Sequence, residues 1–112
     1  MGKAKIEVFS LKNGKNEIKL VYPELRKTVL VLRAINHDLR KGIVRLLAEN
    51  DKMNVTDIYV KLRLEQSVAS QHLAILRRSG IVITDRQGKY IYYTLNREKL
   101  NEVNVLVQDL SV

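Results

Sequence analysis

Cysteine is absent from this 112-residue chain, which excludes disulfides, thiolate metal sites and thiol redox sensing. No apolar run approaches the ~20 residues needed to cross a bilayer, and the N-terminal MGKAKIEVF has no signal-peptide core. Gly2 follows Met1, but Ile6 stands where a myristoylation signal wants Ser or Thr. There is no glycine-rich phosphate loop and no nucleophile–base constellation, so neither catalysis nor a cofactor is indicated. Histidine is scarce: His37 and His72 are the two present, and a metal site needs more converging donors. No repeat, linker or low-complexity stretch interrupts the chain. The expectation is a cytoplasmic, non-enzymatic protein of one domain, without metal, cofactor or membrane partner. A chain this short leaves much of its surface exposed, so a dimer that buries more of it is expected as well.

What the chain has in excess is positive charge, a formal net of +8. Residues 1–51 carry eleven basic side chains against six acidic ones, and residues 52–99 nine against four. The tail from Leu100 onward has only Glu102 and Asp109. Positive charge is thus spread over the body and missing from the tail. Such a balance favours a polyanion, either nucleic acid or an anionic membrane, over a merely soluble basic protein.

Residues 1–22 read as an N-terminal arm or β-hairpin. Ile6 and Val8, then Ile18 and Leu20, alternate around a polar Lys12-Asn13-Gly14-Lys15, and Asn-Gly is a strong hairpin signal. A single strand or a basic arm fits the same residues. Residues 23–112 read as the folded domain. Pro23 suits a first helical turn and Glu24 places negative charge near that helix N-terminus. Leu25, Val29, Leu32 and Ile35 then keep helical spacing. Asp38 is placed as the N-cap of a second helix burying Ile43, Leu46 and Leu47. Asn50-Asp51-Lys52 breaks that helix. Thr56 is placed as the cap of a short helix holding Ile58, Tyr59 and Leu62, with a tight link at residues 63–65.

The next helix, from about Gln66 to Ser79, has two faces. Ala69, Leu73 and Leu76 recur at i, i+4 and i+7 and are expected in the core. Ser67, Ser70, Gln71, Ala74 and Arg78 share the opposite face, with Arg77 on its flank. Gly80 follows where a left-handed residue is wanted. Residues 81–84 and 90–95 are β-branched and aromatic runs around Gln87-Gly88, a hairpin. Alternation puts Ile91, Tyr93 and Leu95 on one face of it, Tyr90 and Tyr92 on the other. A last helix, about 96–110, starts at Asn96 with Glu98 in its first turn and carries Leu100, Val103, Leu106, Val107 and Leu110 as an apolar stripe.

In that order these parts make a winged helix-turn-helix, mainly α with a small β-hairpin, whose second helix enters the major groove of double-stranded DNA. Ser67 and Ser70 let that helix approach closely. Gln71 can pair bidentately with adenine, a contact worth about 1–3 kcal/mol of discrimination. Arg77 and Arg78 suit phosphates, which set affinity and register without reading sequence. Arg86 and Lys89, at a hairpin tip spanning residues 85–89, would reach the backbone or minor groove. The alternatives are a solvated helix face and a charged turn that blunts a sheet edge. Tyr90 and Tyr92 suit either a phosphate contact or packing on the sheet. His72, within the helix, suits a structural hydrogen bond or a DNA contact. His37 beside Asp38 is weak grounds for a metal or catalytic pair.

Residues 35–95 resemble the ArsR/SmtB family of bacterial repressors. The likeness lies in Ser67-x-x-Ser70-x-His72-Leu73-x-x-Leu76-Arg77-x-x-Gly80-Ile81-Val82 and Gly88-Lys89-x-Ile91-x-Tyr93-x-Leu95, with Arg40, Ile43 and Leu47 resembling that family's second helix. It implies a homodimer with terminal helices paired across the two-fold and an operator with dyad symmetry. Leu25, Val29, Leu100, Val103, Leu106, Val107 and Leu110 are the expected dimer contacts. The MarR family and other winged helices are neighbours in pattern. The chain also departs from the family. The Cys-Val-Cys of arsenic and cadmium sensors is missing at Asn54-Val55-Thr56, and the tail lacks the histidines of zinc and nickel sensors. Asp-Pro-Thr-Arg becomes His37-Asp38-Leu39-Arg40, and Arg63 replaces the turn glycine. The resemblance therefore implies DNA binding without either familiar metal site. The expected function is a sequence-specific regulator, with a winged-helix protein-interaction module as the alternative. An effector, small molecule or protein, is not identified by any residue.

Overall fold

The computed structural model describes residues 8–111; the expectations placed on Gly2 and Ile6 lie outside them. The order of elements is β1 (Val8–Asn13), β2 (Asn16–Val21), α1 (Tyr22–Ile35), α2 (Asp38–Asn50), β3 (Lys52–Asn54), α3 (Val55–Leu62), α4 (Gln66–Arg78), β4 (Val82–Gln87), β5 (Tyr90–Leu95) and α5 (Arg97–Leu110).

The core is the meeting point of α1 to α4 and the root of the β4–β5 hairpin. Ile43 and Leu47 from α2, Ile58 from α3, Leu73 and Leu76 from α4, and Ile81 just before β4 are all fully buried. The five helical ones sit where helical spacing puts them on the inward stripe. Met53, Tyr93, Leu95, Leu100 and Val103 pack around this cluster from the sheet and α5. In α1 the buried residues are Val31 and Ala34, while Leu25 and Val29 stay exposed. The expected stripe Leu25–Val29–Leu32–Ile35 therefore faces partly away from the chain's own core, because α1 turns its 31–34 edge inward.

Two helix starts differ from expectation. The N-cap of α2 is His37, whose Nδ1 accepts from the backbone N–H of Leu39 at 3.2 Å, and Asp38 is already helical. The N-cap of α3 is Asn54, whose Oδ1 accepts from the N–H of Asp57 at 2.8 Å, so Thr56 sits inside the first turn. Asn ranks above Thr as a cap, and here it stands two residues earlier. Asn96 does cap α5, its Oδ1 accepting from the N–H of Lys99 at 3.1 Å.

Two sheets form. β1 and β2 pair antiparallel with Asn13 opposite Asn16, so the turn is Gly14-Lys15, with Gly14 at φ +61°. Leu11, Ile18 and Leu20 fall on one face of this hairpin and all are exposed. The second sheet has the order β3-β5-β4. Its short strand β3 was not legible in the sequence: after Asp51, at φ +57°, the chain lays Met53 opposite Tyr93. Three residues are too few for alternation to show.

Candidate nucleic-acid interface

α3 and α4 form the helix pair, joined by residues 63–65, and each ends in the same hydrogen-bonded motif. After α4, the Gly80 N–H donates to Arg77 O and the Ile81 N–H to Leu76 O, both at 3.0 Å. Gly80 has φ +78°, and Leu76 and Ile81 are both fully buried. This is a Schellman stop with its hydrophobic contact. It turns the chain directly from α4 into the wing. After α3, the Arg63 N–H donates to Val60 O and the Leu64 N–H to Tyr59 O. Arg63 there takes the left-handed conformation, φ 55° and ψ 45°. A side chain in that region costs about 1–2 kcal/mol, which a glycine would avoid.

α4 is held by Ala69, Leu73 and Leu76, each with no exposed surface. Its opposite face presents Ser67, Ser70, Gln71, Ala74 and Arg77 to solvent. The first two turns of that face carry small polar groups and the amide; the last turn carries the guanidinium groups. Arg78 is exposed too, but it also lines a cleft toward α1 and α2. It stays in the row with Ser70, Gln71 and Ala74, four residues beyond Ala74 and seven beyond Gln71, so the same side chain borders both the row and the cleft.

The wing differs in detail from the expected tip. β4 continues through Gln87, so Asp85 and Arg86 are strand residues and the turn is Gly88-Lys89. Gly88 has φ +63° and Lys89 does not share it, the pattern of a two-residue hairpin with glycine at the first central position. Arg86 Nε donates to Gly88 O at 3.3 Å, and Gln87 Nε2 donates to Asp85 Oδ2 at 3.0 Å. Register puts Arg86 opposite Ile91, on the face that holds Tyr93 and Leu95 nearer the core. The other face carries Tyr90 and Tyr92, with ring centroids 6.4 Å apart. Lys89 Nζ lies 5.4 Å from the Tyr90 ring and Lys52 Nζ 5.1 Å from the Tyr92 ring. These tyrosines pack on each other and under ammonium groups, so a row of two cations and two rings runs along the wing. Lys52 was missing from the expected site because it belongs to a strand that the sequence did not show.

At the flank of α4, the His72 ring stands 4.8 Å from the His37 ring, tilted by 49°. His72 Nδ1 and Arg40 Nε are buried without a hydrogen-bond partner among the described residues. Partial burial, then the charges of His37 and Arg40, hold the His72 pKa below its ordinary value. The structural hydrogen bond expected of His72 is not made through Nδ1. Among the described residues no three His, Cys, Asp or Glu side chains converge as metal ligands. None of the described helices is long and apolar enough to cross a membrane.

The terminal stripe divides. Leu100 and Val103 lean on the chain's own core, whereas Val107 and Leu110 stay exposed. Val103 and Val107 also line a groove of about 490 Å³ against Val29, Leu32 and Ile35 of α1. Leu25, Val29, Val107 and Leu110 therefore leave apolar surface uncovered on α1 and α5.

This arrangement of helix pair, Schellman stop and wing has close relatives. The model of the family described as "Bacterial regulatory protein, arsR family" matches residues 37–84. PagR, a transcriptional repressor of Bacillus anthracis, is 34% identical over 92 residues, covering 82% of this chain and 92% of PagR. The chain belongs to the ArsR family. It is also similar to HlyU, a transcriptional activator of Vibrio cholerae, at 34% identity over 84 residues, 75% of this chain and 77% of HlyU. The crystal structure of PagR superposes with a TM-score of 0.65 at 35% identity over 76% of this chain and 98% of PagR. A homodimeric winged helix-turn-helix DNA-binding domain from Mycobacterium bovis gives 0.68 at 27% identity, over 80% of this chain and 82% of that one. The fold is accordingly the winged helix-turn-helix of ArsR-type transcription regulators. The family match ends inside β4, so β5 and α5 lie beyond it.

Proposed function

We propose that this ArsR-family protein is a transcriptional repressor that binds a dyad-symmetric operator in double-stranded DNA as a homodimer. The observation that carries the reading is α4 itself, a helix with a fully buried anchor row and an opposite face made of serines, a glutamine and arginine. Ser67, Ser70 and Gln71 meet the base edges. Arg77 and Arg78 take phosphates at the other end of the helix, and Arg86 and Lys89 take them from the wing. Gln71 reads adenine through both amide atoms. The arginines and Lys89 set affinity and register.

Surface area supports the dimer. A compact monomer of 12.9 kDa exposes about 6,300 Å², but this chain exposes 8827 Å². Its radius of gyration is 17.8 Å, where a compact 112-residue domain has about 13 Å. The surplus of about 2,500 Å² is of the size that permanent dimers bury. Exposed Leu25 and Val29 on α1, with Val107 and Leu110 on α5, supply its apolar centre, and Leu100, Val103 and Leu106 back them. Two-fold pairing would set two α4 helices about 34–36 Å apart, in successive major grooves.

The test is selection of genomic fragments on the purified protein at ~0.15 M salt, since weaker salt inflates non-specific binding, with mass measured by light scattering. A single dyad-symmetric motif and a dimer mass are expected. Flat enrichment would overturn the reading in favour of a protein-interaction module. Transcription from the selected promoter with and without the protein gives the sign, which matters because PagR is named a repressor and HlyU an activator.

A further inference from the structure

We propose that the cleft between α1, α2 and α4 binds a small amphipathic anion, a carboxylate or sulfonate on an apolar body. The cleft holds about 380 Å³, the low end of the roughly 300–1,000 Å³ typical of small-molecule sites. Its walls are Leu30, Ala34 and Ile75, and its polar groups are Arg33, Arg40 and Arg78, with Ser79 beside them. Leu30 is 54% exposed although it belongs to this apolar wall. The Ser79 hydroxyl already donates to Ile75 O and Leu76 O, so the guanidinium groups supply the free donors.

Three like charges around one apolar cleft are unfavourable without a counter-ion. None of the three arginines is in an ion pair among the described residues, where the pairs are Lys19–Glu17 and Lys27–Glu24. Arg40 adds a second observation: its Nε is buried and has no acceptor. A carboxylate or sulfonate supplies the missing charge and accepts from the guanidinium N–H groups that line the cleft, since guanidinium forks bind such oxyanions well. The apolar walls select against a bare phosphate, which would leave Leu30, Ala34 and Ile75 wet. The three arginines come from the last turn of α1, the first turn of α2 and the last residue of α4. A bound anion would therefore tie α4 to the two helices behind it and occupy Arg78. The binding site stands on these contacts alone; a consequence for operator affinity rests on the function proposed above.

The experiment titrates the full chain with 8-anilinonaphthalene-1-sulfonate, followed by fluorescence, beside its uncharged analogue N-phenyl-1-naphthylamine. Saturable binding of one sulfonate per chain is expected, displaced by decanoate. Arg33→Gln, Arg40→Gln and Arg78→Gln should each weaken the sulfonate at least tenfold and leave the neutral analogue unchanged. Arg33 and Arg78 are exposed, so their variants stay informative if Arg40→Gln fails to fold. Equal sulfonate binding in these variants, or parallel loss of the neutral dye, would overturn the site. Displacement of the sulfonate by a random duplex but not by decanoate would overturn it too, making the cleft a seat for the DNA backbone. Operator affinity, measured separately with and without decanoate, reads the coupling and can fail while the site stands.

Discussion

The body of the molecule and its flanks are built on opposite terms. Between α2 and the root of the wing, six large side chains are fully buried and every helix turns one apolar stripe inward. In the β1–β2 hairpin and in α5 none of the described side chains is buried, although both carry apolar residues at regular spacing: Ile18 is 61% exposed and Leu110 74%. The same kind of patterning therefore produces a core in one region and an uncovered surface in the other. Patterning says which residues seek burial; whether the chain can supply the burying partner depends on what lies across from them. The body closes on itself through the core that α1 to α4 share with the root of the wing. The flanks extend past it, to principal extents of 59 × 43 × 22 Å.

The sharpest way to break that contrast is to truncate one apolar side chain in each region. Leu73→Ala, in the body, should cost about 2–5 kcal/mol, because the cavity it leaves is walled on every side. Leu110→Ala, at the end of α5, should shift stability by no more than ~0.5 kcal/mol in the dilute monomer, yet weaken self-association. Denaturant unfolding at two protein concentrations a hundredfold apart checks both. A Leu110→Ala midpoint that ignores concentration, in step with an equally insensitive parent, would remove the flank's assigned role.

Next in size is Gln71→Ala. It should cost about 1–3 kcal/mol on the selected operator and almost nothing on duplexes changed at the base it reads. Binding isotherms on a set of single-position operator variants measure this. Equal loss on every duplex would mean that Gln71 reads no base.

The paired helix stops give a smaller and cleaner comparison. Gly80→Ala puts a side chain at φ +78° and a Cβ 3.2 Å from Lys99 Cε. It should destabilise by about 1–2 kcal/mol, the left-handed penalty, since the flexible Lys99 chain can give way. Arg63→Gly, at the matching position of α3, should stabilise by about 0.5–1 kcal/mol, because glycine's greater unfolded-state freedom offsets part of the relief. Thermal melts of the two variants should thus move in opposite directions.

The smallest effect is a pH dependence at His72. Its folded-state pKa is lowered by partial burial and by His37 and Arg40 nearby. The unfolded chain therefore binds this proton more readily than the native one. The contribution to stability is full above about pH 6.5, the ordinary histidine value, and is lost as pH falls through the lower folded value. His72→Gln should flatten the decline of melting temperature between pH 7 and 5. An unchanged slope would assign that decline to other groups.

Much of this fold is legible without coordinates. Ala69, Leu73 and Leu76 at helical spacing, a glycine one turn later and a β-branched run beyond it specify α4, its stop and the strand into the wing. These signals are local, and each has a physical cause within a few residues. The polar face of α4 follows by subtraction. The errors fell where the deciding partner is distant or the segment short. His37 and Asn54 displaced Asp38 and Thr56 as caps by one and two positions. Strand β3 exists because β5 offers an edge to Met53, and Lys52 joins the wing's tyrosines only through that pairing.

The helix pair, its buried row and the positive charge of the body follow from local sequence, because helical periodicity, capping and charge are properties of neighbouring residues. The tertiary structure alone decided that α1 turns Val31 and Ala34 inward and leaves Val29 and Leu30 out. It alone brought Arg33, Arg40 and Arg78 to one cleft and set His72 beside His37. Those juxtapositions depend on how helices cross, and a crossing is fixed by the whole core at once, so no stretch of chain carries it.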